Sequence, residues 1–235
     1  SLFIGLSAMR SVYPFELEWI EGASVDEINW ILQGFNVYGE PSISFIPSMK
    51  TPLFFYFSAG LAKIFGVGFF AYRLHSILSS LGIFVLVYLI VRQTGADFAG
   101  GMLASGLVAA SFRFTGAWMD LAKTDALCMF LLLAGFYVEQ RFPDRKGWIF
   151  SSLLYILAYF TKQLALVVII LICLSSLVDT RGRSWVRWLM TGLAGYAVYV
   201  TYDLATDGWF SFYTVDILQY HNWQGALSVF LQRFL

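Results

Sequence analysis

Long apolar runs dominate this chain and leave few folds open to it. They lie near 72–91, 98–115, 117–138, 148–162, 163–178 and 185–203. A membrane span takes about 20 mostly apolar residues, so each run is a candidate span. The runs 148–162 and 163–178 abut at Thr161–Gln163, which predicts a tight helical hairpin with Lys162 at its tip. The first residues, SLFIGLSAM, are too short to span; they read as the remnant of a first span or as a signal-peptide core. An eighth span is expected to begin near Ala226. The fold class expected is therefore all-α: a polytopic transmembrane helical bundle of about seven spans.

Charge is correspondingly scarce. Of 235 residues, 13% are charged and 59% hydrophobic, against about 25% charged and 45–50% apolar in soluble domains. This argues against a water-soluble globular enzyme and excludes a disordered chain or a nucleic-acid binder. The partner implied is the lipid bilayer. Fifteen cations balance fifteen acids, so no net field steers a partner. Cys128 and Cys173 fall in apolar runs without metal spacing and read as small buried hydrophobes.

The distribution of charge carries more than its sum. The loops 92–97, 139–147 and 179–187 hold seven cations and four acids, whereas 13–71, 113–125, 161–163 and 203–223 hold the other eleven of the fifteen acids. Basic loops stay cytoplasmic, so the acid-rich side faces outward. The expected location is the plasma (inner) membrane, with the active face extracytoplasmic. The chain starts at Ser1 and stops at Leu235 inside an apolar segment, and is expected to be part of a longer one. It reads as one transmembrane domain: 1–12, the first-span remnant; 13–71, an outer loop; 72–203, six spans; 204–225, a second outer loop; and 226–235, the start of a further span.

Residues 13–71 form the longest segment between spans. Glu21 to Leu32 has the spacing of an amphipathic helix with Val25, Ile28, Ile31 and Leu32 on one side. Gly34 and Gly39 punctuate the stretch after it, and Pro41, Pro47 and Pro52 break regular structure. PLFFYFSAGLAKIFG is apolar but short, which suits a helix lying in the membrane interface. Two such helices can roof a cavity.

Three groups of residues on the outer side could carry chemistry. Five acids fall between Glu16 and Glu27. Glu18 and Glu21, three apart, share a helical face; desolvated beside Trp19, such a carboxylate can act as a base, though a solvated acidic face would read the same. Asp120, Lys123 and Asp125 follow in one turn with apolar flanks. Charges there face a cavity or one another, and an Asp120–Lys123 ion pair is the simple alternative. Lys162 either snorkels or binds an anionic headgroup. Lys50 and Arg73 offer the same choice, and His221 is a further polar candidate in an outer segment. The clustering of acids leaves room for a divalent metal, but no spacing fixes its ligands, and no cofactor motif is present.

The order of these pieces resembles glycosyltransferases of the GT-C fold, in particular the N-terminal part of the protein mannosyltransferases and lipid A aminoarabinose transferases. The matching elements are PFELEWIEG, then VDEINWILQGFNVY, then MKTPLFFYFSAGLAKIFG in place of a KPPLYYW-type element, then YRLHSILSSLG, DLAKTDAL and FTKQLAL. The resemblance implies outward-facing transfer of a sugar from a polyprenyl-phosphate donor to an acceptor it does not name. Glu18 or Glu21 would act on the acceptor hydroxyl. Lys50 would touch the donor phosphate, Asp125 would be the second-loop acid, and Lys162 a further phosphate-side cation. Lys123 stands where the family usually has Arg. The competing readings are a non-catalytic GT-C-like subunit or scaffold of a membrane complex and, last, a transporter of a lipid-linked substrate, which would show inverted repeats.

Overall fold

A computed structural model describes residues 2–180, 182 and 184–219. Among them every regular element is helical. In chain order these are α1 (Leu2–Ser11), α2 (Trp19–Leu32), α3 (Leu53–Phe65), α4 (Phe69–Gln93), α5 (Phe98–Ala110), α6 (Thr124–Arg141), α7 (Arg145–Thr161), α8 (Ala165–Asp179) and α9 (Trp185–Ala205), with short helical turns from Trp209 to Gln219. His221 and the span expected near Ala226 lie outside the described residues.

Among the described helices, α4 alone combines the length and the hydropathy needed to cross a membrane. The physical reason is length as much as composition. At 1.5 Å per residue, α5 and α8 rise about 20 and 22 Å, against a hydrocarbon core of about 30 Å. The run 117–138 also becomes helical later than its apolar pattern suggests. Gly116 and Ala117 take left-handed backbone angles, φ 80° and 55°. The chain turns there, and α6 starts only at Thr124. The Thr161–Gln163 hairpin is as tight as expected: α7 ends at Thr161 and α8 begins at Ala165.

α6 is the centre of the bundle, packed between α4 and α7, while α5 lies on α4. One core joins Leu127, Leu131 and Leu132 of α6 to Tyr155 and Ala158 of α7, with Trp188 of α9. Close approach of α6 and α7 depends on Gly135. At the far end, Glu139 pairs with Arg187 and accepts a hydrogen bond from the Tyr155 hydroxyl at 2.8 Å. A second core sits over the start of α4, where Ile28 of α2, Phe54, Phe55 and Ala59 of α3, and Ala71 and Tyr72 of α4 enclose Ala122. Burying each Phe ring there contributes about 1.5–3 kcal/mol.

α2 differs from the apolar stripe that its sequence suggests. Its buried residues are Glu21, Ser24, Glu27 and Ile28. Val25, Ile31 and Leu32 pack only partly against the core, so two of the five acids in the 16–27 stretch point inward.

A Cβ added at Gly135 would lie 2.6 Å from Tyr155 Cε1, whereas one at Gly60 meets nothing within 4 Å. Gly135→Val is therefore expected to destabilise the fold by about 1–3 kcal/mol through overpacking. Gly60→Ala should leave stability unchanged or raise it slightly. Thermal unfolding of the purified protein in detergent checks both.

Candidate functional site

The start of α4 carries Arg73, whose side chain is fully buried against the equally buried Glu21. Its Nε donates to Glu21 Oε1 at 2.9 Å and its Nη2 to Glu21 Oε2 at 2.8 Å, the two-pronged geometry that suits guanidinium to carboxylate. The remaining donors go to backbone carbonyls: Arg10 at 2.8 Å, Tyr13 at 2.7 Å and Phe15 at 2.8 Å. Glu21 also accepts from the Ala122 and Leu17 amides, each at 2.8 Å. Burial by itself would raise the Glu21 carboxyl; the Arg73 guanidinium and the two amides outweigh it and hold the carboxyl below its ordinary range.

This geometry corrects two expectations. Glu21 is not placed as a base, because both oxygens are occupied and nothing is left to accept a proton from an incoming hydroxyl. Arg73 is not placed as a phosphate ligand, because its donors are spent on the protein. Asp120 is likewise held from within the protein, through Oδ2 alone, its Oδ1 having no hydrogen-bond partner. It is fully buried and pairs with Arg10 at 2.8 Å, not with Lys123, and Arg10 also donates to the Ala117 carbonyl at 3.0 Å.

The other candidates form an open charged cluster. Glu18 caps α2 by accepting from the Ile20 amide at 3.2 Å, and its Oε2 lies 3.2 Å from Lys123 Nζ. Lys123 is the residue before α6, and its carbonyl accepts from Ser76 at 3.3 Å, beside the buried His75. Asp125, in the first turn of α6, pairs with Lys162 at the C-terminal end of α7. An acid at a helix start and a cation at a helix end each suit the helix dipole. Lys50 comes from the 41–52 segment. That segment is pinned over the end of α7 and the α7–α8 turn by two bonds, Gln163 to the Met49 carbonyl and Thr51 to the Tyr159 carbonyl at 3.0 Å, and Tyr38, from the stretch after α2, donates to the Lys50 carbonyl. Burial pushes the Lys50 ammonium down; Glu27 and Asp125 oppose that, while Lys123 and Lys162 add to it. Glu18, Lys50, Lys123, Asp125 and Lys162 thus converge, and Glu21, Arg73 and Asp120 lie beneath them in the packed interior.

Glu27 belongs with the cluster, although sequence reasoning left it among several acids. It is 3% exposed. Burial pushes its carboxyl up to about 7, against its contacts with Ser48 and the charge of Lys50, and Asp26 adds to the rise. The signal for it was the spacing Glu21, Ser24, Glu27, Ile28, which places four residues on one inward face. No group of three or more His, Cys, Asp or Glu placed to hold a metal ion occurs among the described residues. An apolar groove of about 480 Å³ runs between α7, α8 and α9, bounded by Tyr155, Tyr159, Ile169, Trp188 and Tyr199. It follows α7 toward its Lys162 end.

Residues 49–206 match the model of the dolichyl-phosphate-mannose-protein mannosyltransferase family. The fold is similar to the crystal structure of ArnT from Cupriavidus metallidurans bound to undecaprenyl phosphate. The TM-score is 0.63 at 17% identity, over 95% of this chain and 44% of that one. This chain therefore spans less than half the length of that protein. No curated protein sequence matches it.

Removing one partner of a buried pair leaves an uncompensated charge. Glu21→Gln and Arg73→Met are each expected to cost about 3–5 kcal/mol, read as a fall in melting temperature. Because the Glu21 carboxyl is held low, its contribution is complete above the ordinary value of 4.5. It is lost as pH falls through the folded-state value. Acid unfolding of the wild type should show this loss, and Glu21→Gln should lack it.

Proposed function

From the premise that the chain belongs to the dolichyl-phosphate-mannose-protein mannosyltransferase family, matched over residues 49–206, we propose that it is a membrane glycosyltransferase. It moves a sugar from a polyprenyl-phosphate donor to an acceptor on the extracytoplasmic side. The observation that carries this reading is the convergence of Lys50, Lys123 and Lys162 with Glu18, Glu27 and Asp125 where α2, α6 and α7 meet. Inverting transfer needs a base for the acceptor hydroxyl and positive charge for the departing phosphate. In this reading the acceptor oxygen bonds to the anomeric carbon as the bond from that carbon to the phosphate oxygen breaks. The electron pair leaves with the phosphate. Lys50 and Lys162 stabilise the charge that develops there, Asp125 orients Lys162, and Glu18 orients Lys123. The apolar groove along α7 takes part of the polyprenyl chain. Helices α4 to α9 correspond to the six expected spans and α1 to the remnant of a first.

A non-catalytic subunit of the same fold is the second reading. It is favoured by the carboxylate partners that Lys123 and Lys162 already have. Polyprenyl phosphate that co-purifies with the protein, detected by mass spectrometry, supports the enzyme over the inert subunit.

The Lys162–Asp125 side chains are 32% and 22% exposed, so their pair contributes about 0–1 kcal/mol to stability. Lys162→Ala should therefore remain folded, and so should Lys50→Ala, because Lys50 is hydrogen-bonded through its backbone carbonyl, which the substitution keeps. Each is expected to lower transfer by about 100-fold or more, measured as release of polyprenyl phosphate from a polyprenyl-phosphate sugar. Wild-type rates in both variants would refute the phosphate assignment.

A further inference from the structure

The basic residues at the opposite end of α7 from Lys162 have no part in the site above. Arg141 ends α6, and Arg145 and Lys146 begin α7 after a turn of three residues. α7 has 17 residues, so this turn and Lys162 stand about 25 Å apart along the helix, most of the thickness of a hydrocarbon core. All three cations are exposed, and among the described residues none of them is ion-paired. The acids beside them in the chain are already engaged. Asp144 caps α7, accepting from the Gly147 amide at 2.9 Å. Glu139 pairs with Arg187 and accepts from the Tyr155 hydroxyl.

Fold stability does not account for this placement. A cation suits the end of a helix, as Arg141 does on α6, but Arg145 and Lys146 at the start of α7 oppose the helix dipole. Three like charges within one turn also repel one another. The arrangement gains from negative charge outside the chain, and the surroundings indicate its source. Lys146, Ile149, Phe150 and Leu153 follow the spacing of one helical face, and all four are exposed. Phe142 is exposed in the turn, with the Arg141 guanidinium 5.5 Å from its ring. Trp185 is exposed at the start of α9, two residues before the Arg187 that pairs with Glu139. Cations, then aromatic rings, then an apolar helix face is the order of polarity from headgroup to acyl chain in a bilayer. An acidic protein segment would match the cations but not the apolar face that continues from them.

We propose that the α6–α7 turn binds the headgroups of anionic phospholipids through Arg141, Arg145 and Lys146. Their side chains donate to phosphodiester oxygens, and the acyl chains lie along Ile149, Phe150 and Leu153. A phosphatidylcholine headgroup carries its own cation and gains little there, whereas phosphatidylglycerol offers an uncompensated phosphate. The inference requires that the chain lies in a membrane and is independent of the transfer reaction.

Native mass spectrometry of the full chain, released from nanodiscs of equal phosphatidylglycerol and phosphatidylcholine with the same acyl chains, reads which lipid is retained. The wild type should retain phosphatidylglycerol in preference. Arg145→Gln and Lys146→Gln should each lower that preference about fivefold. Lys63→Gln, which removes an exposed cation from α3, should leave it unchanged. Melting in single-lipid nanodiscs separates binding from folding. The Arg145→Gln, Lys146→Gln double variant should melt at or above the wild type in phosphatidylcholine, because the opposition to the dipole is gone. It should gain less than the wild type on transfer to phosphatidylglycerol. Equal retention of the two lipids by the wild type, or a preference that survives in the double variant, overturns the site. A double variant that melts lower in phosphatidylcholine assigns the cations to the fold and also overturns it. Equal retention alongside salt-sensitive binding of a polyglutamate peptide gives the patch to an acidic protein partner instead.

Discussion

The buried Arg73–Glu21 pair is the constraint on which the charged end of this protein depends. Arg73 projects from the first turns of α4, and its guanidinium collects the carbonyls of Arg10, Tyr13 and Phe15. Glu21 collects the amides of Leu17 and Ala122. One ion pair thereby fixes the exit of α1, the entry of α2 and the loop before α6 relative to α4. Buried pairs rarely add net stability against an apolar substitute. What this one provides is a single arrangement for three irregular segments, whose backbone groups would otherwise be buried without partners.

That arrangement decides where the remaining charges go. With Ala122 held by Glu21, Lys123 and Asp125 emerge at the N-terminal end of α6, one toward Glu18 and the other toward Lys162. The 41–52 segment is drawn over the end of α7 by Gln163 and Thr51, and Tyr38 holds it from the stretch after α2. This brings Lys50 to the same place and puts Ser48 on Glu27. The charged groups therefore form two layers. The inner one, Glu21, Arg73, Asp120 and Arg10, is largely buried and holds the backbone. The outer one is partly exposed and has donors to offer. The charges open to a ligand are therefore not those that hold the fold.

Much of this was legible in the sequence, with limits that have physical causes. The apolar runs gave the helices α4, α7, α8 and α9 nearly to their ends, because helical spans need only length and hydropathy. The start of α6 was not legible, because an apolar run continues through Gly116 and Ala117 while the backbone turns left-handed there. The acidic stretch from Glu16 to Glu27 was recognisable as a place where carboxylates gather. Which of them is buried was not, because Glu18, Glu21 and Glu27 differ in what surrounds them rather than in type. The same holds for Asp120. An ion pair with Lys123 is the local choice, and the partner it has, Arg10, is 110 residues away.

By itself the sequence determined a helical membrane protein whose acids crowd one side, with the order of elements that marks its family. Those features follow from composition and from local periodicity, which every short window of the chain carries. Only the tertiary structure decided that Glu21 and Arg73 lock the backbone, that three lysines from separate segments meet, and that Glu27 is buried against Ser48 near Lys50. The function of a carboxylate rests on desolvation and on the charges around it. Both are supplied by residues distant in the chain, and no local pattern records them.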